Sequence, residues 1–442
     1  MVKSMVKKII CILMLIFCQS AFAESLNKNY NAGIRQLMDF YESSSGLWRD
    51  SNCIKSGACK ANDGSGFWYW ANIERLLADY QILTGESSYA PYMYQTMDKN
   101  KNDIIGSQYF DDEGWWTLAF IAGYKATKNK EYLTAAESIV DDITNRGRQN
   151  VCGNGGIYWN AKKTQVGSIA NELYIRLNAQ LYLITGDIKY LNNANNTWEW
   201  FKSSGLISPD FIVADHYKIE DGKCGNKVEW HFTYTNGVLL GVLADLALIN
   251  QDPKLMNQAK EVARRAMYNF TMGGILTEPC TNVKICADDA FMFKGIFVHE
   301  LAYLALAAKE PQFTNDLRTY LNFNYSKLVE NQGESSLYAF SWSLPVEFDS
   351  DSSLYNPSDV VTQLSALYLM DATLMLDSND IFTSVAPNKI NKKHSKYKPV
   401  ILKPQQVEPL EIGRHHKKHG KHLMHKHKGL NKNNNQKNKS LQ

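Results

Sequence analysis

The sequence predicts an all-α fold, an (α/α)6 barrel of about twelve helices with short strand-like loops at the mouth of a cleft. Three observations predict it. First, one unit recurs: an apolar helical pattern, a short polar break, then an amphipathic helix. It is read at "LLADYQILTGESSYA" (Leu76 to Ala90), "FIAGYKATKNKEYLTAA" (Phe120 to Ala136), "LNAQLYLITGDIKYLNNA" (Leu177 to Ala194), "LLGVLADLALINQDPKLMNQA" (Leu239 to Ala259) and "ELAYLALAAKEPQFTNDL" (Glu300 to Leu317). Second, the breaks fall near Gly85, Lys128, Gly186, Gln251 and Lys309, a period of roughly 45–65 residues that suits stacked helix hairpins. Third, a first helix near Asn31 to Glu42 and a last near Pro357 to Leu376 bring the count to about twelve, as six hairpins would. An open solenoid of helix pairs is the alternative. The unequal repeats favour closure, as do Gly-rich loops such as "CGNGGIYW" (Cys152 to Trp159) and "MGGILTEPC" (Met272 to Cys280), which read as strand-like turns.

Residues 1–23 read as a signal peptide. Lys3, Lys7 and Lys8 form a basic start, Ile9 to Phe17 an apolar run too short to span a bilayer, and Ala21-Phe22-Ala23 a small-x-small cleavage site. Phe17 before Cys18 is too bulky for a good lipidation box. No later run is expected to span a membrane, so the mature protein should be secreted or periplasmic, with no integral membrane segment. Residues 24–387 form the predicted domain. Residues 388–442 hold "HHKKHGKHLMHKHK" and "NKNNNQKNK", a basic His/Lys/Asn-rich tail that cannot bury a core and is expected to be disordered.

Six cysteines remain after the leader: Cys53, Cys59, Cys152, Cys224, Cys280 and Cys286. An even set in an exported chain reads as disulfides, with fifteen possible pairings. Cys53–Cys59 and Cys280–Cys286 are the short-loop choices, which leaves Cys152–Cys224. None has zinc-finger spacing. The chain's net charge of +3 conceals a division. The tail carries 15 Lys and Arg against Glu408 and Glu411, and the leader three Lys, so residues 24–387 sum to about −13. An acidic body repels phosphates and argues against a nucleic-acid partner.

The chemistry centres on "YFDDEGWW", Tyr109 to Trp116. Adjacent acids at a helix start can simply cap free N–H groups. Two tryptophans beside them suggest more, because aromatic faces stack on pyranose rings. Glycoside hydrolysis needs two carboxyl groups flanking one bond. Side chains on neighbouring helical residues diverge, so the carboxyls of Asp111 and Asp112 could sit about 5–6 Å apart, near the retaining separation. Asp288 and Asp289 form a second acid pair, one of them expected to accept a sugar hydroxyl. Glu278 could line the cleft, although a loop carboxylate more often faces solvent. His216, His231 and His299 show no ligand spacing and read as structural. No phosphate loop, nucleophilic Ser elbow or dinucleotide fingerprint is present.

The run "FDDEGWWTLAF" resembles the signature of glycoside hydrolase family 76, the endo-α-1,6-mannanases. Four more blocks are similar in the same order: "CGNGGIYW", "SIANELYIRLNAQLYLITGD" (Ser168 to Asp187), "TYTNGVLLGVLADL" (Thr233 to Leu246) and "CADDAFMFKGIFVHELA" (Cys286 to Ala302). The resemblance implies an (α/α)6 barrel, with Asp111 as nucleophile and Asp112 as acid/base. It matches Trp115, Trp116, Asn171, Tyr234, Asp289, Phe293 and Lys294 to family positions at the substrate. The family's Asn-Gln after the Tyr is Thr235-Asn236 here, so Asn236 is the expected polar sugar contact, shortened or moved. His299 stands where an Arg is common, and Glu113 adds a third acid. The implied activity is endo-acting, retaining cleavage of α-1,6-mannosidic bonds in mannan by a monomer, with no cofactor and no metal. A transglycosylase with the same intermediate and a non-catalytic glycan-binding protein are the alternatives.

Overall fold

The computed structural model describes residues 21–49, 67–283, 286, 289–333, 337–347 and 359–377. Among these lie twelve helices: α1 (21–38), α2 (Phe67–Thr84), α3 (Ala90–Ile104), α4 (Phe110–Thr127), α5 (Lys130–Gly147), α6 (Ser168–Thr185), α7 (Ile188–Ser203), α8 (Thr233–Asn250), α9 (Pro253–Phe270), α10 (Ala290–Ala308), α11 (Pro311–Glu330) and α12 (Val360–Asp377). Helices α2, α4, α6, α8, α10 and α12 each pack on the next, and α12 packs back on α2. The ring is therefore closed, an (α/α)6 barrel. Helices α3, α5, α7, α9 and α11 back the ring from outside. Helix α1 completes the outer layer, with Gly33 against Leu367 and Tyr30 donating to Asp371. It begins and ends earlier than the expected Asn31 to Glu42, because Tyr41–Glu42 turns into a short strand paired with Leu47–Trp48.

Burial separates the two layers. Every residue of α2 from Phe67 to Tyr80 is buried, as is every residue of α6 from Ser168 to Leu181. A helix walled on all sides is apolar over most of its surface. That is why α10 alone reaches the length and hydropathy of a membrane span among the described residues, although 83% of that window is buried in the ring. The outer helices are amphipathic. In α9 the buried residues are Ala259, Lys260, Val262, Ala263, Ala266 and Phe270.

The five sequence breaks mark one device. Gly85, Lys128, Gly186, Gln251 and Lys309 all adopt left-handed backbone, with φ of 76°, 60°, 73°, 51° and 52°. Each stops an inner helix and returns its N–H to a carbonyl of the last turn. Asn129, Asp187 and Asp252 follow at once and cap the outer helix through side-chain oxygens. The inner-to-outer connections are therefore very short. The outer-to-inner connections, such as 148–167, 204–232 and 271–289, are long and lie where the inner helices begin. The cleft must form at that end.

Three small sheets occupy those loops: Tyr41–Glu42 with Leu47–Trp48; Gln165–Gly167, His216–Glu220 and Lys223–Val228 in that order; and Thr271–Met272 with Ile275–Leu276. The disulfides Cys152–Cys224 and Cys280–Cys286 tie loops there, with Cα separations of 4.9 and 5.0 Å. Cys53, Cys59, Asp288, residues 1–20 of the expected leader and the tail lie outside the described residues.

An ionic layer crosses the ring. Glu300 pairs with Arg75 at 3.0 Å and with Arg176, which lies 3.7 Å from Asp245. These groups are essentially fully buried. Two guanidinium partners outweigh burial and hold the Glu300 carboxyl below its usual range. Gly241 makes room for this layer, since a Cβ there would overlap the Arg176 guanidinium. His299 belongs to the same layer, 2.9 Å from Asp79 and 3.1 Å from Arg75. Asp79, His299 and Asp371 lie close enough to resemble a ligand set, but the adjoining Arg75 and the Tyr30 hydroxyl on Asp371 make them part of the ion-pair network. The structural reading of His299 agrees with this.

Candidate active site

The carboxylate pair opens an inner helix. Tyr109 has extended backbone, and α4 starts at Phe110, so Asp111, Asp112 and Glu113 fill its first turn. The Gly-rich loop is clipped to this start: Phe110 N–H donates to Trp159 O at 2.9 Å, and Ala161 N–H to Gln108 O at 2.9 Å. That clip sets the Trp159 indole, whose Nε1 donates to Asp111 Oδ2 at 2.8 Å. The other Asp111 oxygen has no hydrogen-bond partner.

The two acids differ in environment. Burial raises the Asp111 carboxyl to about 7, while the Trp159 donor and the free N–H groups of the helix start pull it back. Burial also raises Asp112 well above its ordinary value, and the charges of Asp111, Asp289 and Glu113 push it further the same way. No donor opposes that rise. At neutral pH the pair is suited to hold one proton, on Asp112. Glu113 acts on the pair only through its charge: it is fully buried and bonds Arg146, which also pairs with Asp142.

Aromatic rings line the ring of helix starts, with Trp68, Trp115 and Phe293 themselves buried. Tyr234 stacks on Phe293 at 3.8 Å and 7°. Trp68 lies 5.6 Å from Trp115 and 6.1 Å from Phe293. Asp289 precedes α10 and accepts from Trp68 Nε1 at 2.9 Å and from the Tyr69 hydroxyl at 2.7 Å. Asp111, Asp112, Tyr234 and Asp289 are thus brought together electrostatically, since the charges of Asp111 and Asp289 both act on Tyr234.

Other expected contacts turn inward. Trp116 is expected beside the pair as a stacking ring, but it is fully buried, between Phe67 and Phe120, and cannot present a face to a sugar. Trp116 lies one turn beyond Asp112 on the same face of α4, deeper among the inner helices. Asn171 is fully buried: its amide binds Ile157 N–H and O and Gly167 O, and so holds the Gly loop in place. Asn236 is fully buried on Phe232 O. Lys294 is buried over the Phe340 and Trp342 rings and donates to Phe340 O at 2.5 Å. Burial lowers its ammonium to about 7 against the opposing charge of Glu278. Glu278 is not solvent-facing; it is fully buried and accepts from Thr233 N–H at 3.0 Å and from the Thr233 hydroxyl, capping the start of α8.

Residues 25–385 match the family model described as Glycosyl hydrolase family 76. The chain belongs to that family. A Schizosaccharomyces pombe relative named putative mannan endo-1,6-alpha-mannosidase C1198.07c is 24% identical over 51% of this chain and 56% of its own length. The Candida albicans protein named mannan endo-1,6-alpha-mannosidase DCW1 is 23% identical over 65% of this chain and 67% of its own. This chain thus spans little more than half of the first of these family 76 relatives. Among solved structures, the GH76A alpha-1,6-mannanase from Salegentibacter sp. HEL1_6 is 24% identical, with a TM-score of 0.68 over 79% of this chain and 99% of that one. A variant of it with two adjacent Asp changed to Asn is inactive and was solved with alpha-1,6-mannotriose. Dfg5 from Chaetomium thermophilum, in complex with glucosamine, has a TM-score of 0.66 at 20% identity over 80% of this chain and 90% of that one.

Within the family 76 site, sequence reasoning gave no role to Trp159, Trp68, Tyr69 or Asp215. The signal for Trp68 and Tyr69 lay in "FWYW", which occupies the same place at an inner-helix start as the paired acids do. Asp215 holds His216 Nδ1 at 2.8 Å, and its charge reaches Tyr234 and Glu172. A lone Asp in an irregular loop carries no such signal.

Proposed function

We propose that this chain is a retaining glycoside hydrolase that cleaves α-1,6-mannosidic bonds within mannan, outside the cytoplasm. The observation that carries the reading is the asymmetry of the adjacent acids: burial raises both, but Trp159 and the helix start pull Asp111 back toward its ionised form, while Asp112 is pushed to keep its proton. The inactive double-Asn variant of the Salegentibacter mannanase and its mannotriose complex support the placement. Asp111 attacks the anomeric carbon as Asp112 gives its proton to the leaving oxygen, so the glycosidic bond breaks and a glycosyl ester forms. Asp112, now ionised, takes a proton from water. The resulting hydroxide attacks the same carbon, frees Asp111 and leaves the product with retained configuration. The chemistry calls for no cofactor. The two disulfides support export.

The test is product analysis on linear α-1,6-mannan with and without added acceptor sugars. Hydrolysis gives shorter α-configured oligosaccharides in both arms. Products extended by the acceptor would make the chain a transglycosylase, and no turnover with retained binding would make it a glycan-binding protein.

A further inference from the structure

Eight of the ten tryptophans are buried and Trp159 is partly so, but Trp230 is 63% exposed. A tryptophan left in water forgoes the largest burial gain of any side chain, and its position suggests a reason. Trp230 lies between the Lys223–Val228 strand and Thr233, where inner helix α8 starts. That end of the barrel is the cleft end. Its ring meets His216 at 6.4 Å and 78°, and His216 is bonded to Asp215, whose charge reaches Tyr234. Trp230 therefore stands at the rim, one step outward from the candidate site.

The rim is stiff. Cys152–Cys224 ties its hairpin to the Gly-rich loop that carries Trp159. Tyr217 donates to Ser204 O at 2.7 Å, Lys227 to Gly205 O at 3.0 Å, and His231 Nδ1 lies 2.9 Å from Val213 O. An exposed indole on a fixed support gives a broad contact at little entropic cost. The Glu229 carboxylate beside it is exposed, with one oxygen 2.7 Å from Lys227 Nζ, and its other oxygen can accept a hydrogen bond from a hydroxyl. An apolar plate next to a polar acceptor fits a hexopyranose ring, which has a C–H face and a hydroxyl edge.

We propose that Trp230 is the stacking platform of an outer glycan subsite, which recruits a sugar unit beyond the bond being cleaved and makes long chains better substrates than short ones. This rests on the glycan-cleaving reading above. The experiment compares wild type, Trp230→Ala and Trp230→Phe, each checked for an unchanged melting temperature, on linear α-1,6-manno-oligosaccharides of increasing length. The platform predicts that the rise in kcat/KM with chain length falls about ten-fold in Trp230→Ala, or about 1.4 kcal/mol, through KM, and is largely kept in Trp230→Phe. An unchanged length dependence in Trp230→Ala overturns it. If wild type leaves α-1,6-mannan intact, the functional reading fails separately. The platform is then read by binding of a panel of linear hexose oligosaccharides to wild type and Trp230→Ala: weaker binding by the variant supports it, and equal affinity or no binding at all overturns it.

Discussion

The Trp159 indole donates a 2.8 Å hydrogen bond to Asp111 Oδ2 across 48 residues of chain. The bond favours the ionised carboxylate, and it is the feature that most separates Asp111 from Asp112. Replacing Trp159 with Phe keeps the ring and removes the donor. The Asp111 carboxyl should then rise by about one unit above its value of about 7. The acid limb of the kcat/KM profile should move up in pH by the same amount, with a loss of about five-fold at pH 7. A profile that falls in height without shifting would contradict the role of the donor.

Asp111 also predicts a pH-dependent stability. Burial raises its carboxyl from 3.8 to about 7. A carboxyl raised in the folded state destabilises the fold once pH exceeds its unfolded value. The penalty is absent below pH 3.8 and complete above about 7. Asp111→Asn removes it, and also removes a charge that raises Asp112. The variant and wild type should therefore unfold alike near pH 4, and the variant should be more stable by about 4 kcal/mol above pH 7. Denaturant melts across that range measure it; a gap that stays constant with pH would count against the burial of this charge.

The architecture was more legible than the site. All five predicted breaks are left-handed caps, because a Gly or a short polar run after an apolar stretch has few other uses. The adjacent acids were visible for a similar reason: three carboxylates in one helical turn are costly without a partner or a task. What each side chain faces was not visible. Trp115 and Trp116 are neighbours in sequence but point to different surroundings, one near Trp68 and the other between Phe67 and Phe120. Trp159 reaches Asp111 only through the clip between the Gly-rich loop and the start of α4. Contacts made by loop closure leave no local pattern in the chain.

Trp116 gives a test of that distinction. As a core ring it should be replaceable by Phe at a stability cost of about 1–2 kcal/mol, with KM for oligosaccharides unchanged at temperatures well below the melt. A large rise in KM with unaltered stability would return Trp116 to the sugar site.

The ionic layer should be unforgiving. Gly241→Ala drives a methyl group into the Arg176 guanidinium and parts it from Glu300. Breaking a buried pair leaves a charge unmatched, at a cost of about 3–5 kcal/mol. A thermal melt should fall steeply or the protein should fail to fold. A variant that melts like wild type would show that the layer is looser than described.

The division of labour between Asp111 and Asp112 is tested most directly by trapping the intermediate. An α-mannoside with a good leaving group needs no proton from Asp112, so Asp112→Asn should still be glycosylated. Intact-mass and peptide mapping should then find one mannosyl ester, on Asp111, and azide should release it as α-mannosyl azide of retained configuration. Asp111→Asn should give no adduct, and any azide product it forms should be inverted, because azide then attacks from the face that Asp111 has vacated. An ester on Asp112, or an azide product of retained configuration from Asp111→Asn, would contradict the assignment.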